Sequence, residues 1–215
     1  MTTGTQIIRT QGLGRDFTVR DGVRRRTVTA VDDLDIGIDA GEAVGYIGAN
    51  GAGKSTTIKM LCGILVPTRG EVTTCGLRPV ADRRRLARQV GVVFGQRTQL
   101  WWDLPVRESF RILAAIHALG ATRETERTDE LVERLELADF LSTPVRQLSL
   151  GQRMRAEFAA ALLHDPAILF LDEPTIGLDA PSKLAVRDFV RRLNREQGVT
   201  VLLTTHDMHD VEALA

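Results

Sequence analysis

The stretch that decides the fold is Gly48-Ala-Asn-Gly-Ala-Gly-Lys-Ser55, which fits the phosphate-binding pattern G-x-x-x-x-G-K-[ST]. Its glycines let the backbone fold so that successive N–H groups point at phosphate oxygens. The helix predicted to begin near Gly53 adds the positive end of its dipole. The alternative is a glycine-rich strand-to-helix turn with a chance lysine. The position of the motif, after a buried strand and before a helix, favours a nucleotide site.

Within this loop, Lys54 is expected to reach the β- and γ-phosphates, and Ser55 to offer a hydroxyl to Mg²⁺. The pattern fits ATP or GTP and does not identify the work done with the nucleotide. The predicted nucleotide-binding residues of the loop are Gly48, Ala49, Asn50, Gly51, Ala52, Gly53, Lys54, Ser55 and Thr56.

The sequence on both sides of the loop predicts an α/β fold. A continuous apolar run, 43–47, precedes the loop and suits a strand buried on both faces of a parallel sheet. Similar runs recur at 90–94, 167–171 and 199–204, with helical stretches between them. We therefore expect a RecA-like P-loop core with a mostly parallel sheet.

Two further units are predicted to join this core. Within the first 40 residues, apolar and polar side chains alternate at 34–39 and an Asp-Gly turn lies at 21–22, which favours a small antiparallel β-subdomain. Between Gln96 and Gln147 apolar residues recur at helical spacing, which indicates a helical insertion. The expected boundaries within one domain, 1–215, are about 1–40 and 65–80 for the β-subdomain, 41–64, 81–95 and 150–215 for the core, and 97–149 for the helical subdomain.

Bulk composition excludes several classes of protein. Lys+Arg and Asp+Glu are both 28, so the basic surplus of a non-specific nucleic-acid binder is missing. No apolar run approaches the roughly 20 residues that span a bilayer, and the N-terminus lacks a signal pattern. Two scattered cysteines, Cys62 and Cys75, do not support a disulfide framework and are expected to be small buried apolar side chains. We expect a cytoplasmic chain, peripheral on any membrane that it serves.

A predicted strand ends in two carboxylates at Ile168-Leu-Phe-Leu-Asp172-Glu173. Beside a phosphate loop, Asp172 is expected to hold Mg²⁺ and Glu173 to polarise the attacking water as a general base. The alternative is a polar strand end before a turn at Pro174.

Six ordered motifs together resemble the ABC-type ATPases, and the resemblance covers nearly the whole chain. Leu148-Ser-Leu-Gly-Gln152 is similar to the family signature, whose usual form is L-S-G-G-Q. The other matches are the phosphate loop, the Q-loop glutamine Gln96, the acidic motif Asp172-Glu173-Pro174-Thr175, the D-loop Gly177-Leu178-Asp179 and the switch histidine His206.

The resemblance implies a homodimer of two subunits stacked head to tail, with two Mg-ATP between them. Ser149, Gly151 and Gln152 would face the partner's nucleotide, Asp179 would belong to the D-loop, and Gln96 would contact Mg²⁺ and the attacking water. The alternative for Ser149 is an ordinary helix N-cap, and both interpretations can hold together. Leu150 stands where the usual pattern has glycine, which puts the rate of hydrolysis in question.

Some candidate residues have alternatives of nearly equal weight. His206 would bond the γ-phosphate and orient Glu173, although His206 and His209 with Asp207 and Asp210 could also suggest a metal cluster. The motif explains His206 better than the cluster does. Phe17 matches the family's adenine-stacking aromatic, but a core position in the β-subdomain fits it almost as well.

The sequence between the motifs looks most like the ATPase subunits of bacterial ABC-2-type exporters, which implies an integral membrane permease as partner. One of the neighbouring residues Trp101 or Trp102 would help to shape the docking site for that permease, and packing of the helical insertion against the core is the alternative for at least one of the pair. A rival function is a soluble ABC ATPase acting on nucleic acid or the ribosome. Another is an ATP-responsive binding module without turnover, against which the presence of Glu173 and His206 argues.

Family members usually continue past the position of Ala215, so we expect a chain truncated at its C-terminus.

Overall fold

The computed structural model describes residues 6–22, 24–95 and 97–212. Its central sheet consists of β4 (Ala43–Ile47), β6 (Val90–Phe94), β7 (Ile168–Asp172) and β8 (Thr200–Thr205). These strands are parallel and lie in the order β4-β8-β7-β6. The two central strands, β7 and β8, are buried along almost their whole length, which explains their nearly continuous apolar sequence. The carboxyl ends of neighbouring strands meet at one edge of this sheet.

Strand β4 departs from its predicted environment. Its apolar sequence predicts burial on both faces, yet all of its residues are partly or largely exposed. It lies at the end of the described sheet and pairs there with β8 alone. Whether a strand is central or at an edge depends on strand order, and the composition of the strand itself does not show it.

A second, antiparallel sheet contains β1 (Gln6–Asp21), β2 (Arg24–Leu34), β3 (Gly37–Asp39) and β5 (Arg69–Thr74). β1 pairs with the three others, and β1 with β2 forms a long hairpin. The alternation at 34–38 predicts one strand, but two are found. Asp33 has a left-handed φ of 48°, which interrupts the ladder just before β2 ends.

Seven helices are described between and after these strands. They are α1 (Lys54–Leu61), α2 (Arg83–Leu86), α3 (Val106–Ile116), α4 (Ala121–Arg134), α5 (Leu150–Leu162), α6 (Ala180–Gln197) and α7 (Met208–Glu212). α3 and α4 form the insertion between β6 and β7, and short 3₁₀ turns at 138–140 and 145–147 lead from them into α5. The predicted fold class, with its P-loop core, β-subdomain and helical insertion, is confirmed.

The core divides into two large groups of buried apolar side chains. The larger joins the helical insertion and α5 to α6 and one face of the parallel sheet. The other joins α1 and the β-subdomain to the opposite face. Cys62 is buried and Cys75 half-buried, and burial raises the pKa of both thiols, that of Cys75 to about 11. No helix within the described ranges has the length and apolar character needed to cross a membrane.

Candidate nucleotide site

The phosphate loop connects β4 to α1 and depends on glycine at two positions. Gly51 and Gly53 have φ values of 82° and 84°, in the left-handed region that L-residues rarely adopt. A Cβ on Gly53 would also overlap the backbone carbonyl oxygen of Ala30 in β2. The loop therefore packs closely on the β-subdomain, and α1 starts at the next residue.

Lys54 lies inside the curve of this loop and is only 5% exposed. Its Nζ donates to the carbonyl oxygens of Gly48 at 2.6 Å and Ala49 at 3.0 Å. The same nitrogen is 3.4 Å from Oε1 of Glu173. These contacts hold the ammonium group between the start of the loop and the acidic end of β7.

Asp172 ends β7 and forms hydrogen bonds with two neighbouring elements. Its Oδ1 accepts from the Ser55 hydroxyl of α1 at 2.9 Å and from the Thr204 hydroxyl of β8 at 2.7 Å. The β7–β8 register places Asp172 opposite Thr204. The fold thus brings the carboxylate of Asp172 together with the hydroxyl of Ser55, which lies 117 positions away in the chain.

Glu173 leaves the strand in a left-handed conformation with a φ of 51°. This conformation costs a non-glycine residue about 1 kcal/mol or more. The Glu173 N–H is held by the carbonyl of Thr204 at 3.0 Å. Its Oε2 accepts from Nδ1 of His206 at 3.1 Å, so the proton of this contact lies on that nitrogen. Strand β8 therefore holds the backbone of Glu173, and His206, the residue after β8, holds its carboxylate.

A cavity of about 400 Å³ opens between the loop and the acidic pair. It is lined by Asn50, Ser55, Lys59, Ile64, Phe94, Gly95, Arg97, Asp172, Glu173 and Ile176. A neighbouring cleft of about 170 Å³ follows the loop itself and includes Lys54 and Thr56. Gln96 lies outside the described residues, although Gly95 and Arg97 on either side of it face the cavity. The volume and the polar lining suit a phosphorylated ligand.

At the start of α5, the side chains of Ser149 and Gln152 each accept a hydrogen bond from the backbone N–H of the other residue. The Gln152 N–H donates to the Ser149 hydroxyl at 3.2 Å, and the Ser149 N–H donates to Oε1 of Gln152 at 2.9 Å. This capping box matches the N-cap alternative for Ser149. Ser149, Gly151 and Gln152 line neither of the two cavities of their own chain.

The signature segment packs against the D-loop of the same chain. A Cβ on Gly151 would lie 2.6 Å from the hydroxyl of Ser182, and one on Gly177 would lie 3.2 Å from Cδ2 of Leu150. Leu150 is half-buried and packs on the larger core group. The residue that departs from the family pattern thus contacts a glycine of its own D-loop.

Asp179 is the N-cap of α6. Its Oδ1 accepts from the N–H of Ser182 at 3.1 Å, and hydrogen bonds from Ser182 lower the pKa of its carboxyl. The D-loop carboxylate is therefore held near Gly151, on the side of the molecule where α5 begins.

Phe17 lies on β1 opposite Val28 of β2, half-buried. The guanidinium of Arg15 lies over its ring, 4.7 Å from the centroid. Phe17 lines neither cavity, so the structure does not bring it together with the phosphate loop.

A hydrogen-bond network that was not evident from the sequence supports the segments after β7 and β8. Asp210 is 1% exposed and accepts hydrogen bonds from Thr175 at 2.6 Å and Thr205 at 2.8 Å. Arg187 of α6 lies 2.6 Å from the same carboxylate. Asp210 thus faces inward, while His209 contacts Glu212 at 3.2 Å, so the suspected metal cluster does not form. The available signal was a threonine beside each motif: Thr175 follows the acidic pair, and Thr205 precedes His206.

A phosphate loop and an acidic strand end that meet at one site, with a histidine bound to the second carboxylate, define a P-loop nucleotide-hydrolysing protein. The sequence pattern of the family described as "ABC transporter" matches residues 31–176. The chain belongs to this family, and it is an ATP-binding subunit that hydrolyses ATP. The resemblance inferred from the six motifs is confirmed.

Individual relatives agree with this assignment. The chain is 35% identical to the ABC transporter ATP-binding protein NatA of Bacillus subtilis, over 89% of this chain and 77% of that protein. It is 39% identical to the daunorubicin resistance ATP-binding protein DrrA3 of Streptomyces coeruleorubidus, over 91% of this chain but only 62% of the relative. A solved ATP-binding cassette dimer in a post-hydrolysis state, bound to ADP and Pi, superposes with a TM-score of 0.83 at 27% identity, over 96% of this chain and 90% of that one.

Proposed function

We propose that two copies of this chain close head to tail around two Mg-ATP and drive a membrane permease that moves its substrate outward. The observation that carries the proposal is the meeting of Lys54, Asp172 and Glu173 beside the phosphate loop, where Glu173 lines both the cavity and the neighbouring cleft. This set of groups is what a triphosphate and an attacking water require.

Mg²⁺ fits the residues present. Asp172 and Ser55 offer hard oxygen donors 2.9 Å apart at the cavity wall, and Gln96 is the third proposed ligand. Nowhere in the described part of the chain do three His, Cys, Asp or Glu side chains form a metal site by themselves. An ion shared with the phosphates of ATP is the arrangement that Mg²⁺ commonly adopts. When bound, it would neutralise charge on the β- and γ-phosphates.

Glu173 is the proposed general base. Its carboxylate lies between the Lys54 ammonium and the His206 ring, 3.4 Å and 3.1 Å away. His206 holds the carboxylate in one orientation, and its exposed ring can also face the γ-phosphate. When ATP enters, Lys54 exchanges its contacts with the two carbonyls and with Glu173 for phosphate oxygens, which leaves that carboxylate oxygen free to accept a proton from water.

The second copy supplies the missing wall of each site. Ser149 and Gly151 line neither cavity of their own chain, yet they begin a helix whose N-terminus attracts anions. In the proposed dimer they contact the partner's γ-phosphate. Asp179 and Gln152 are proposed to act in the same closed state, and Phe17 is proposed to stack on the adenine ring.

The exporter role draws on the relatives. Their names include a daunorubicin resistance protein and a Nod factor export protein, the latter 40% identical over 86% of this chain. We propose that this chain acts on the cytoplasmic face of the membrane with a separate permease.

Trp101 and Trp102, which are 37% and 49% exposed, are the proposed contacts to the permease. Alanine at each position, scored by co-purification with the membrane partner, tests this; unchanged recovery in both variants would remove the docking role.

The catalytic assignment is tested by phosphate release from the wild type and from Glu173→Gln. We expect slow turnover in the wild type, almost none in the variant, and accumulation of an ATP-bound dimer by size-exclusion chromatography. Glu133→Gln makes the same change at an exposed position of α4 and should behave as wild type. Wild-type turnover in Glu173→Gln would remove the general base from the mechanism.

The head-to-tail arrangement has its own test. Lys54→Ala damages the phosphate loop, and Ser149→Arg damages the signature motif. Each variant alone should be inactive. Mixing them should restore part of the activity, because one of the two sites of a mixed dimer then carries both intact parts. No recovery on mixing, with both variants folded, would contradict the shared site.

A further inference from the structure

Helix α5 carries a buried carboxylate that the proposed function does not use. Glu157 is 4% exposed, and burial raises the pKa of its carboxyl, against the opposing effects of Thr98, Gln99 and Arg153. An apolar side chain would fill this position without the cost of removing a charge from water. The contacts of Glu157 therefore call for a functional explanation.

Those contacts all reach one segment of chain. Oε1 of Glu157 accepts the hydroxyl of Thr98, and Oε2 accepts the N–H of Gln99 at 3.3 Å. The side-chain amide of Gln99 donates back to the carbonyl oxygen of Glu157 at 3.3 Å. The Thr98 hydroxyl also accepts the N–H of Leu100 at 3.0 Å, and Leu100 is buried. Side chain and backbone of Glu157 thus fasten residues 98–100 to α5.

A second contact fastens the same segment one helical turn earlier. The guanidinium of Arg153 lies over the ring of Trp102, 5.9 Å from its centroid. Arg153 and Glu157 are four positions apart on α5 and so lie on the same face of the helix. The segment therefore follows α5 toward Ser149.

The other end of the segment is attached to the catalytic strand. The Gly95 N–H donates to the carbonyl of Asp172 at 2.9 Å. A Cβ on Gly95 would overlap the carbonyl oxygen of Glu173, so only glycine permits this approach. Phe94, Gly95 and Arg97 line the cavity. One short stretch thus runs from the acidic pair to the helix that begins with the signature motif.

We propose that Glu157 is a positioning residue that couples occupancy of the phosphate cavity to the orientation of α5 through residues 97–102. A change at the cavity wall is passed to Thr98 and Gln99, then through Glu157 to the helix that carries Ser149. This inference rests on the proposed function, because it matters only if Ser149 meets the nucleotide of a partner. It adds to that function a residue that touches neither nucleotide nor water.

The chain provides its own reporter for this coupling. Its two tryptophans, Trp101 and Trp102, both lie in the segment, so tryptophan fluorescence, excited where Tyr46 does not absorb, reports on this region alone. Glu157→Gln keeps the size of the side chain and removes its charge. Thr98→Val removes the hydroxyl at constant size, and Thr98→Ser retains it. Glu133→Gln on α4 is the matched control for the charge.

We expect Mg-ATP to change the tryptophan emission of the wild type, Thr98→Ser and Glu133→Gln. In Glu157→Gln and Thr98→Val most of this change should disappear, and kcat should fall about tenfold while KM for ATP stays within about twofold. The double variant should be no worse than either single one, since both remove the same link. Glu157→Gln should unfold at the same temperature as the wild type or higher, because it relieves a buried charge.

Three results would overturn the coupling: an unchanged emission response and kcat in Glu157→Gln, a fall in kcat that merely follows lost thermal stability, or no ATP response in the wild type. Failure of the proposed function looks different. In that case the wild type itself shows no turnover, and Glu173→Gln forms no ATP-bound dimer, whatever residue 157 is.

Discussion

Acidification should destabilise the fold through His164, which joins the end of α5 to the start of β6. Its Nε2 donates to the carbonyl of Val90 at 3.0 Å. Its ring stacks on that of His117, with centroids 3.9 Å apart and planes inclined by 7°. Nδ1 is buried and has no hydrogen-bond partner among the described residues. Protonation would place a second N–H, and a charge, where nothing accepts them.

The size of the effect follows from the pKa of His164. Burial lowers this pKa from 6.5 to about 4; His117 and Arg127 add to the effect, while the Val90 carbonyl and Asp165 oppose it. The unfolded chain therefore binds more protons than the folded chain between these values. The free energy of unfolding falls as the pH drops from 6.5 to 4 and is unaffected by this group at higher pH. The loss is about 3 kcal/mol at pH 4, of which about 2 kcal/mol is already lost at pH 5.

Urea unfolding at pH 7 and pH 5 measures this loss. His164→Gln retains an amide that can donate to Val90 but does not titrate, so its unfolding free energy should change about 2 kcal/mol less between the two pH values. Carboxylates elsewhere are the same in both proteins and cancel. His209→Gln, at an exposed position, should keep the wild-type pH dependence. Equal pH dependence in wild type and His164→Gln would refute the reasoning.

Two further predictions concern the loop and its supporting network. Gly53→Ala should abolish ATP binding in a titration, because its Cβ would overlap a backbone carbonyl and its left-handed φ would also be strained. Gly51→Ala has open space around its Cβ, so its free energy of ATP binding should weaken only by the cost of the left-handed φ, about 1 kcal/mol. Similar loss in both variants would show that backbone strain alone matters. Asp210→Ala should lower the free energy of unfolding by about 3–5 kcal/mol, because Arg187 loses its buried partner and keeps only Asp207, 3.3 Å away. The double variant with Arg187→Met should recover part of this loss, and no recovery would argue against the ion pair as the cause.

Local chemistry was readable from the sequence. The phosphate loop is eight consecutive residues whose glycines and lysine act through their own backbone and side chains. Its sequence pattern is therefore enough to predict phosphate binding. The alternation of apolar runs with helical stretches likewise predicted the α/β core, because both periodicities are properties of single elements. The order of the six motifs was enough to identify the family.

Tertiary structure alone decided which distant residues meet. Thr204 completes the contacts of Asp172 only because β8 lies next to β7, and Glu157 reaches Thr98 only because α5 packs beside the segment after β6. Leu150, a departure of unknown consequence in the sequence, proves to pack over Gly177. Strand β4, apolar throughout, proves to lie at the edge of the described sheet. Strand order and helix packing depend on how all the apolar faces of the chain are buried against one another. They involve elements that are far apart in sequence, so a short stretch of sequence does not determine them.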